Sequence, residues 1–498
     1  MRSNQRCLFP AQCLIGANDG LEIEREAEPE AFEPPMIKLP PIGGNANRDI
    51  PRLTKNEVRV NMSGWRGRLN VISWRFIQYF TESSPPVSHV RIVALVCLAQ
   101  TLAQIGAYSI PALLPSFIDE WSLTNTEAGW IVGMFYAGYT LSAPVLVSLT
   151  DRVDPKRIYM FGVATTTLSA LGYAYFADGF WGAVVFRTLW GVGWAGTYMP
   201  GLKALSDFVE GPSQSRAVAA HAASVGISGA ASFLISGTIA TWFGWRWGVA
   251  IGGLGAGMAF VLMAMFLPAR KPVPVEGPKT ALLDFRPALR NRSALAYSLG
   301  YCVHTWEMNT LRAWVVVFLA FIAVNQGGGV SDWLTPTAVA TAMGLLGVWT
   351  SVSGNELARK FGRRRYIFII MLLSMASASV IGFASAISYS VAAVMVLIYA
   401  ALIWADSSSL TAGAVGSALP GQRGATMAVH STLGYAGGFV GPLAMGMILD
   451  MASGPGGATP FAWGIAFMHI AVIMAVGPLA LCLFKPADLE GDRSACKG

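Results

Sequence analysis

Three ionisable residues lie close together within one apolar run of this sequence. The segment HTWEMNTLR contains His304, Glu307 and Arg312. On a helix, His304 and Glu307 lie one turn apart on the same side, and Arg312 lies two turns from His304, roughly 80° around the axis. If these side chains face one cavity, Glu307 can exchange a proton, His304 can tune or relay it, and Arg312 can bind a carboxylate-like group. The alternative is an internal salt bridge that holds helices together.

Two other apolar runs carry polar residues at a comparable depth. Arg187 lies at a height similar to that of Arg312 when both runs are counted from the same end, and two facing cations would favour an anionic solute. Alternatively, the partner of Arg187 is a carbonyl of a neighbouring helix. Gln100, Gln104 and Tyr108 recur at i, i+4 and i+8 and share one helix face, which either lines the same cavity or makes hydrogen bonds between helices.

The remaining candidates are single residues. Asp406 lies in WADSSSLTAG, where it either exchanges a proton or is satisfied by the following serines. His221, His430 and His469 are interpreted as packing residues, because a lone histidine in a helix is more often satisfied than functional.

The composition indicates what kind of element positions these residues. Of 498 residues, 54% are hydrophobic and only 13% are charged, against roughly a quarter charged in an ordinary soluble domain. A soluble fold could not bury so much apolar surface, so the composition predicts a chain that uses lipid as its solvent. Six scattered cysteines show no paired spacing, so we expect neither a disulfide framework nor a metal site, and no cofactor.

Twelve apolar runs are long enough to cross about 30 Å of hydrocarbon at 1.5 Å per residue. We predict helices over 91–114, 128–149, 158–177, 180–205, 217–242, 245–267, 294–324, 336–354, 366–386, 391–415, 426–449 and 461–484. The predicted fold class is therefore an all-α integral membrane protein of about twelve transmembrane helices. Predicted bundles of six helices occupy residues 90–267 and 294–485, joined by a cytoplasmic linker over 268–293 and followed by a cytoplasmic tail over 486–498.

The first 89 residues differ from the rest, because they are rich in proline, mixed in charge and without a spanning run. We expect a mostly disordered cytoplasmic tail. Within it, residues 65–80 place aromatic and aliphatic side chains at helical spacing among arginines, which favours a helix in the headgroup region. A plain linker, or a true start at Met62, explains the segment equally well.

The placement of charge predicts orientation. Basic residues occupy alternate loops, which the positive-inside rule assigns to the cytoplasm, whereas the opposite loops are mainly acidic with Arg246 as the exception. Both termini are thus expected in the cytoplasm and the chain in the inner (plasma) membrane. The net charge of +7 is explained by these loops, so no nucleic-acid partner is expected.

Two features recur about 208 residues apart, which indicates an internal repeat. The segment LTDRVDPKR after the second run matches LARKFGRRR after the eighth, and Arg216 before the fifth run matches Arg423 before the eleventh. Two pseudo-symmetric halves of six helices explain this spacing.

On these motifs the chain resembles the major facilitator superfamily from about residue 91 to 484. The family's loop signature is matched by Asp151, Arg152, Lys156 and Arg157, although in the second copy Arg359 replaces the acid. RTLWGVG, which begins at Arg187, and GWRW at 244–247 are also similar to family motifs. The Gly-Pro motif of family antiporters is absent from the fifth run and occurs at 441–442 instead, so proton symport and facilitated diffusion stay open.

The resemblance implies a secondary transporter with alternating access. Asp151 and Arg152 would then act as gate elements, or they serve only to orient the loop. The expected partners are a small, anionic solute, the lipid bilayer and protons, and the expected state is a monomer. Export of amphipathic compounds and a non-transporting membrane sensor are the alternatives. No enzyme is predicted, since neither a phosphate-binding glycine loop nor a catalytic constellation is present in the sequence.

Overall fold

The computed structural model describes residues 89–150, 152–209, 212–270, 285–326, 333–419, 422–454 and 457–487, together with Leu489 and Asp492. The predicted tail, its interfacial segment and Asp151 lie outside the described residues, as does most of the linker.

Every predicted apolar run forms a helical segment, because a backbone surrounded by lipid must pair its own polar groups. The segments are α1 (His89–Glu120), α2 (Asn125–Leu149), α3 (Pro155–Phe176), α4 (Phe180–Ser206), α5 (Pro212–Phe243), α6 (Trp245–Phe266), α7 (Arg292–Asn325), α8 (Pro336–Phe361), α9 (Arg363–Ala386), α10 (Tyr389–Gly416), α11 (Arg423–Ala452) and α12 (Pro460–Phe484). Ten of them are long enough to cross a membrane and contain a sufficiently apolar stretch. α3 and α4 are long enough but do not meet the same criterion of hydropathy. A short helix, Arg286–Arg290, precedes α7.

Local signals explain several helix starts. Thr124 caps α2 in a capping box with Glu127, and Asp154 caps α3 with Pro155 at its first position. The first helix runs on to Glu120, six residues past the predicted end, so Asp119 lies in its last turn and not in a loop.

Three of the helices are interrupted within the described residues. α1 consists of His89–Gln104 and Ser109–Glu120, separated by residues 105–108, and α10 consists of Tyr389–Ala405 and Ser407–Gly416, separated at Asp406. α12 consists of Pro460–Met474 and Val476–Phe484, separated at Ala475. The expectation of continuous helices is wrong at these three points. Irregular backbone at this depth is tolerated only where protein groups or a cavity satisfy it.

The two halves repeat one packing scheme. In the first half α3 packs on α4 and α6, and α2 packs on α4; in the second half α9 packs on α10 and α12, and α8 packs on α10. The halves meet through α2 with α11, α5 with α8, and α1 with α7. This is the predicted pseudo-symmetric pair of bundles.

The contact between α2 and α11 is a tight backbone seam. A Cβ atom added at Gly129 would lie 2.7 Å from the carbonyl oxygen of Pro442, and one at Gly446 would clash with the backbone of Asn125. Only glycine permits such an approach. Lower on the seam the rings of Tyr139 and Tyr435 meet at 3.8 Å.

Candidate functional site

Arg312 of α7 lies between the two halves of the protein. Its guanidinium carbon is 5.0 Å from the centroid of the Tyr108 ring in α1 and 4.8 Å from that of the Trp404 ring in α10. One Nη donates to Asn309 Oδ1 at 3.4 Å. No carboxylate of a described residue lies within 4.0 Å of this half-buried cation, so its remaining donors are not neutralised by an acid.

Both rings that contact Arg312 are themselves held in place. The Tyr108 ring stacks on Phe233 of α5 at 5.3 Å, and the Tyr108 backbone N–H donates to Ser232 Oγ at 2.9 Å. Trp404 lies against Gly347 of α8, where an added Cβ would come within 2.7 Å of the indole. The guanidinium is therefore contacted by one aromatic side chain from each half, and its N–H groups have no acid partner among the described residues, so they are suited to bind an anion.

Glu307 is fully buried on α7. Its Oε1 accepts a hydrogen bond from Ser374 Oγ of α9 at 2.7 Å, whereas Oε2 has no partner among the described residues. The hydroxyl of Tyr399 on α10, which is also without a hydrogen bond there, lies close enough to interact electrostatically with this carboxyl group. The structure thus places Glu307 against α9 and α10.

His304 and Asp406 form a second buried polar pair. His304 Nδ1 and Asp406 Oδ1 are 2.9 Å apart, close enough for an ion pair, although the geometry is not that of an aligned hydrogen bond. Asp406 occupies the interruption of α10. The pair therefore connects the broken helix to α7 one turn away from Glu307.

Arg187 is buried inside the first half. It donates to the carbonyl oxygen of Ala107 at 3.4 Å, and its guanidinium carbon is 4.3 Å from the Phe135 ring. Its Nε and one Nη have no partner among the described residues. Because Ala107 precedes Tyr108 in the interruption of α1, Arg187 lies near the same level as Arg312, as the sequence suggested.

Gln100 and Gln104 are buried with side-chain amides that make no hydrogen bond in the described part of the chain. The Gln100 amide oxygen lies against Gly201 of α4 and beside the Tyr159 ring. Gln100 therefore faces the interior of the first half. Since α1 is interrupted after Gln104, the expected stripe through Tyr108 is not one continuous helix face.

Of the predicted site residues, the structure brings together Tyr108 with Arg312, and His304 with Asp406. Glu307 makes no ion pair with Arg312. Arg152 is exposed at the end of the α2–α3 connection. Sequence reasoning missed Trp404 and Ser374, although Trp404 lies two residues before Asp406, which was singled out. Among the described residues, no group of three or more His, Cys, Asp or Glu side chains could hold a metal ion.

A further polar contact joins the halves at the end of the α2–α11 seam. Asp450 of α11 accepts hydrogen bonds from the backbone N–H groups of Asn125 and Thr126, at 3.0 and 2.7 Å, and from both of their side chains. A carboxylate at the N-terminus of α2 is favoured by the helix dipole. This contact closes the end of the molecule that the charge pattern assigns to the outside.

The model of the Major Facilitator Superfamily matches residues 96–442, well over half of the chain. The chain belongs to the Major Facilitator Superfamily. It carries the helical, multi-pass membrane fold of a transporter family and not that of an enzyme, in agreement with the predicted fold class.

Several superfamily proteins are similar to this chain. Protein spinster homolog 1 of Homo sapiens is 26% identical over 257 residues, 49% of this chain and 48% of that protein. The niacin transporter NiaP of Acinetobacter baylyi is 23% identical over 175 residues, 35% and 40% of the two chains. The chain thus spans about half the length, or less, of these curated relatives.

Solved structures of superfamily members share the fold. A bacterial homolog of the human lysosomal transporter spinster, inward-facing and occupied, has a TM-score of 0.62 and 18% identity over 83% of this chain and all of that chain. The nucleoside transporter NupG has a TM-score of 0.64 and 11% identity over 80% and 99% of the two chains. At these identities the likeness concerns the fold alone.

Proposed function

We propose that this protein is a secondary transporter that moves a small, anionic solute across the plasma membrane by alternating access, coupled to protons. The observation that carries this proposal is the position of Arg312. A guanidinium between the two halves, held by Tyr108 and Trp404 and without a carboxylate partner among the described residues, is suited to bind an anion.

The buried acids on the neighbouring faces of α7 and α10 support proton coupling. A carboxylate without a basic partner is costly to bury, so Glu307 is a candidate to carry a proton through part of the cycle. Asp406 is a second candidate, because its partner His304 can itself gain or lose a proton. Coupling requires that solute and proton each bind the two conformations with different affinity, since equal affinity shifts no equilibrium. His304, which contacts Asp406 and lies one turn from Glu307, is placed to relay the proton.

The seam between α2 and α11 supports the mechanism. With the orientation taken from the loop charges and both termini in the cytoplasm, the packed end of the seam faces outward. The arrangement is then one of two states in which the halves rock about the Arg312 site as a monomer.

A proteoliposome flux screen tests the proposal. The screen offers small carboxylates and inorganic anions to the wild type, Arg312→Gln and Glu307→Gln, with and without a pH gradient. We expect wild-type accumulation of at least one anion driven by the gradient, and at least a tenfold loss in Arg312→Gln. Arg359→Gln, which removes an exposed arginine, is the matched control and should transport normally.

The two variants separate solute binding from coupling. Glu307→Gln should lose gradient-driven accumulation but keep exchange of the anion across the membrane, because the binding cation is intact. If this variant still accumulates the anion, Glu307 does not couple transport to protons. Wild-type uptake that survives collapse of the gradient would make the protein a facilitator.

Other outcomes favour other functions. Movement of cations or neutral amphipathic compounds, with anions ignored, would support an exporter, for which the aromatic side chains around Tyr108 are suited. A deletion of the first 89 residues that spares flux but abolishes a cellular response would support a sensor.

A further inference from the structure

The residues after α12 carry a buried carboxylate that sequence analysis assigned to a plain tail. Both Asp492 carboxylate oxygens accept from Arg363, at 3.0 Å from Nε and 2.9 Å from Nη2. The two side chains are only 2% and 4% exposed. A bidentate pair of this kind is among the strongest polar contacts that a protein makes.

Arg363 joins this pair to the ends of two more helices. Its Nη1 donates to Asn355 Oδ1 of α8 at 2.9 Å and to the Ser409 carbonyl of α10 at 3.2 Å. In addition, Leu489 packs on Gly416 at the end of α10, where an added Cβ would lie 2.6 Å from the leucine side chain. One arginine and the residues that follow α12 therefore bring together the ends of α8, α9 and α10.

A comparison of the two halves indicates why an acid is needed at the start of α9. Pro155 and Arg363 are the first residues of α3 and α9 and are 208 positions apart. In the first half the acid is local, since Asp154 caps α3 and also accepts from the backbone N–H of Arg270 after α6. In the second half the corresponding cap is Gly362, which has no capping side chain, and the loop motif carries Arg359 where an acid is expected.

We propose that Asp492 supplies at the start of α9 the acid that Asp154 supplies at the start of α3, and that the Arg363–Asp492 pair is a permanent clamp that makes the second half move as one rigid unit. All the partners belong to the second half, so the clamp does not have to open when the halves rock. This role in transport rests on the proposed function, but the docking of the tail does not.

Disulfide trapping tests the docking without any substrate. Cysteines are placed at Gly416 and Leu489, which are in contact, in full-length protein whose Cys482 and Cys496 are serine, and we expect them to form a disulfide bond on oxidation. We expect rapid cross-linking in this parent and at least a tenfold slower rate after Asp492→Asn. Glu356→Gln, which removes only an exposed pair with Arg359 at the same end of α8, should cross-link like the parent.

An equal rate in Asp492→Asn and the parent would overturn the clamp. Should Asp492→Asn not be recovered as folded protein, Asp492→Glu serves instead: it keeps the charge but lengthens the side chain, and it should cross-link more slowly than Glu356→Gln. Unchanged cross-linking in Asp492→Glu and in Arg363→Gln would likewise overturn it.

Flux through the cross-linked parent tests whether the clamp stays closed during transport. A clamp that stays closed predicts transport within twofold of the reduced protein. A tenfold loss that reducing agent reverses would show that the tail must undock, and would overturn the rigid-unit claim. If no solute is transported by the parent, the proposed function fails while the cross-linking result still decides the docking.

Discussion

At the level of single residues, the charge at the Arg312 site and the position of that charge depend on different side chains. The guanidinium supplies the charge, whereas the Tyr108 and Trp404 rings contact it from the two halves and restrict its position. Lysine would keep the charge and lose both the fork of donors and the stacking. The role of the two rings in positioning Arg312 can therefore be tested in variants that keep the arginine.

Trp404 is the residue for this test. Trp404→Leu should raise the KM for the transported anion roughly 2- to 30-fold, because a cation–π contact contributes about 0.5–2 kcal/mol. Trp404→Phe keeps a ring face and should fall between this variant and the wild type. Equal KM values in the leucine and phenylalanine variants, measured as initial flux against anion concentration, would mean that the ring does not orient Arg312.

At the level of elements, the interruption of α1 leaves backbone groups that other helices must satisfy. The Tyr108 N–H donates to Ser232 Oγ of α5, and the Ala107 carbonyl accepts from Arg187 of α4. An unpaired buried N–H costs about 1–3 kcal/mol. The break is thus stable only because α4 and α5 present polar side chains at that level.

Two serines on α5 allow a matched comparison. Ser232 and Ser236 are both buried one turn apart, but Ser236 Oγ makes no hydrogen bond in the described part of the chain. We expect Ser232→Ala to lower the apparent Tm by a few degrees, in line with about 1–3 kcal/mol, and Ser236→Ala to leave it nearly unchanged. Thermal unfolding in detergent measures both, and equal shifts would argue against a stabilising role for the Tyr108–Ser232 bond.

How far the sequence predicts this protein depends on the range of the interactions. Run length and loop charge, which are local, predicted twelve helices and the repeat, and both are borne out by the fold. The break at residues 105–108 could not be predicted, because the partners of its backbone groups lie 80 and 124 positions away in the sequence. For the same reason, charge alone drew attention to Arg312 and Asp406, whereas Trp404 and Ser374 gained significance only from their neighbours in space.

For the whole molecule, Asp450 is the contact that should decide how firmly the α2–α11 seam closes at the start of α2. Asp450→Asn weakens hydrogen bonds to a charged group, each of which contributes about 1.5–3 kcal/mol. We expect the population in which the two halves separate at this end to rise roughly 10- to 100-fold.

Labels at Ser122, between α1 and α2, and at Gly454, which follows α11, would report this change as a longer inter-label distance. Asp119→Asn, which alters an exposed acid within the first half alone, is the control and should leave the distance distribution as in the wild type. An unchanged distribution in Asp450→Asn would exclude this residue from the gate.

The glycine-lined seam between α2 and α11 has a consequence for how the protein switches. At Gly129 and Gly446 the backbones touch directly, and no long side chain can keep partial contact there as the helices separate, so intermediate spacings gain little energy at these points. Closure at the two glycines should then be cooperative. The protein would populate two discrete arrangements with few molecules at intermediate spacings, which limits leakage through a transporter.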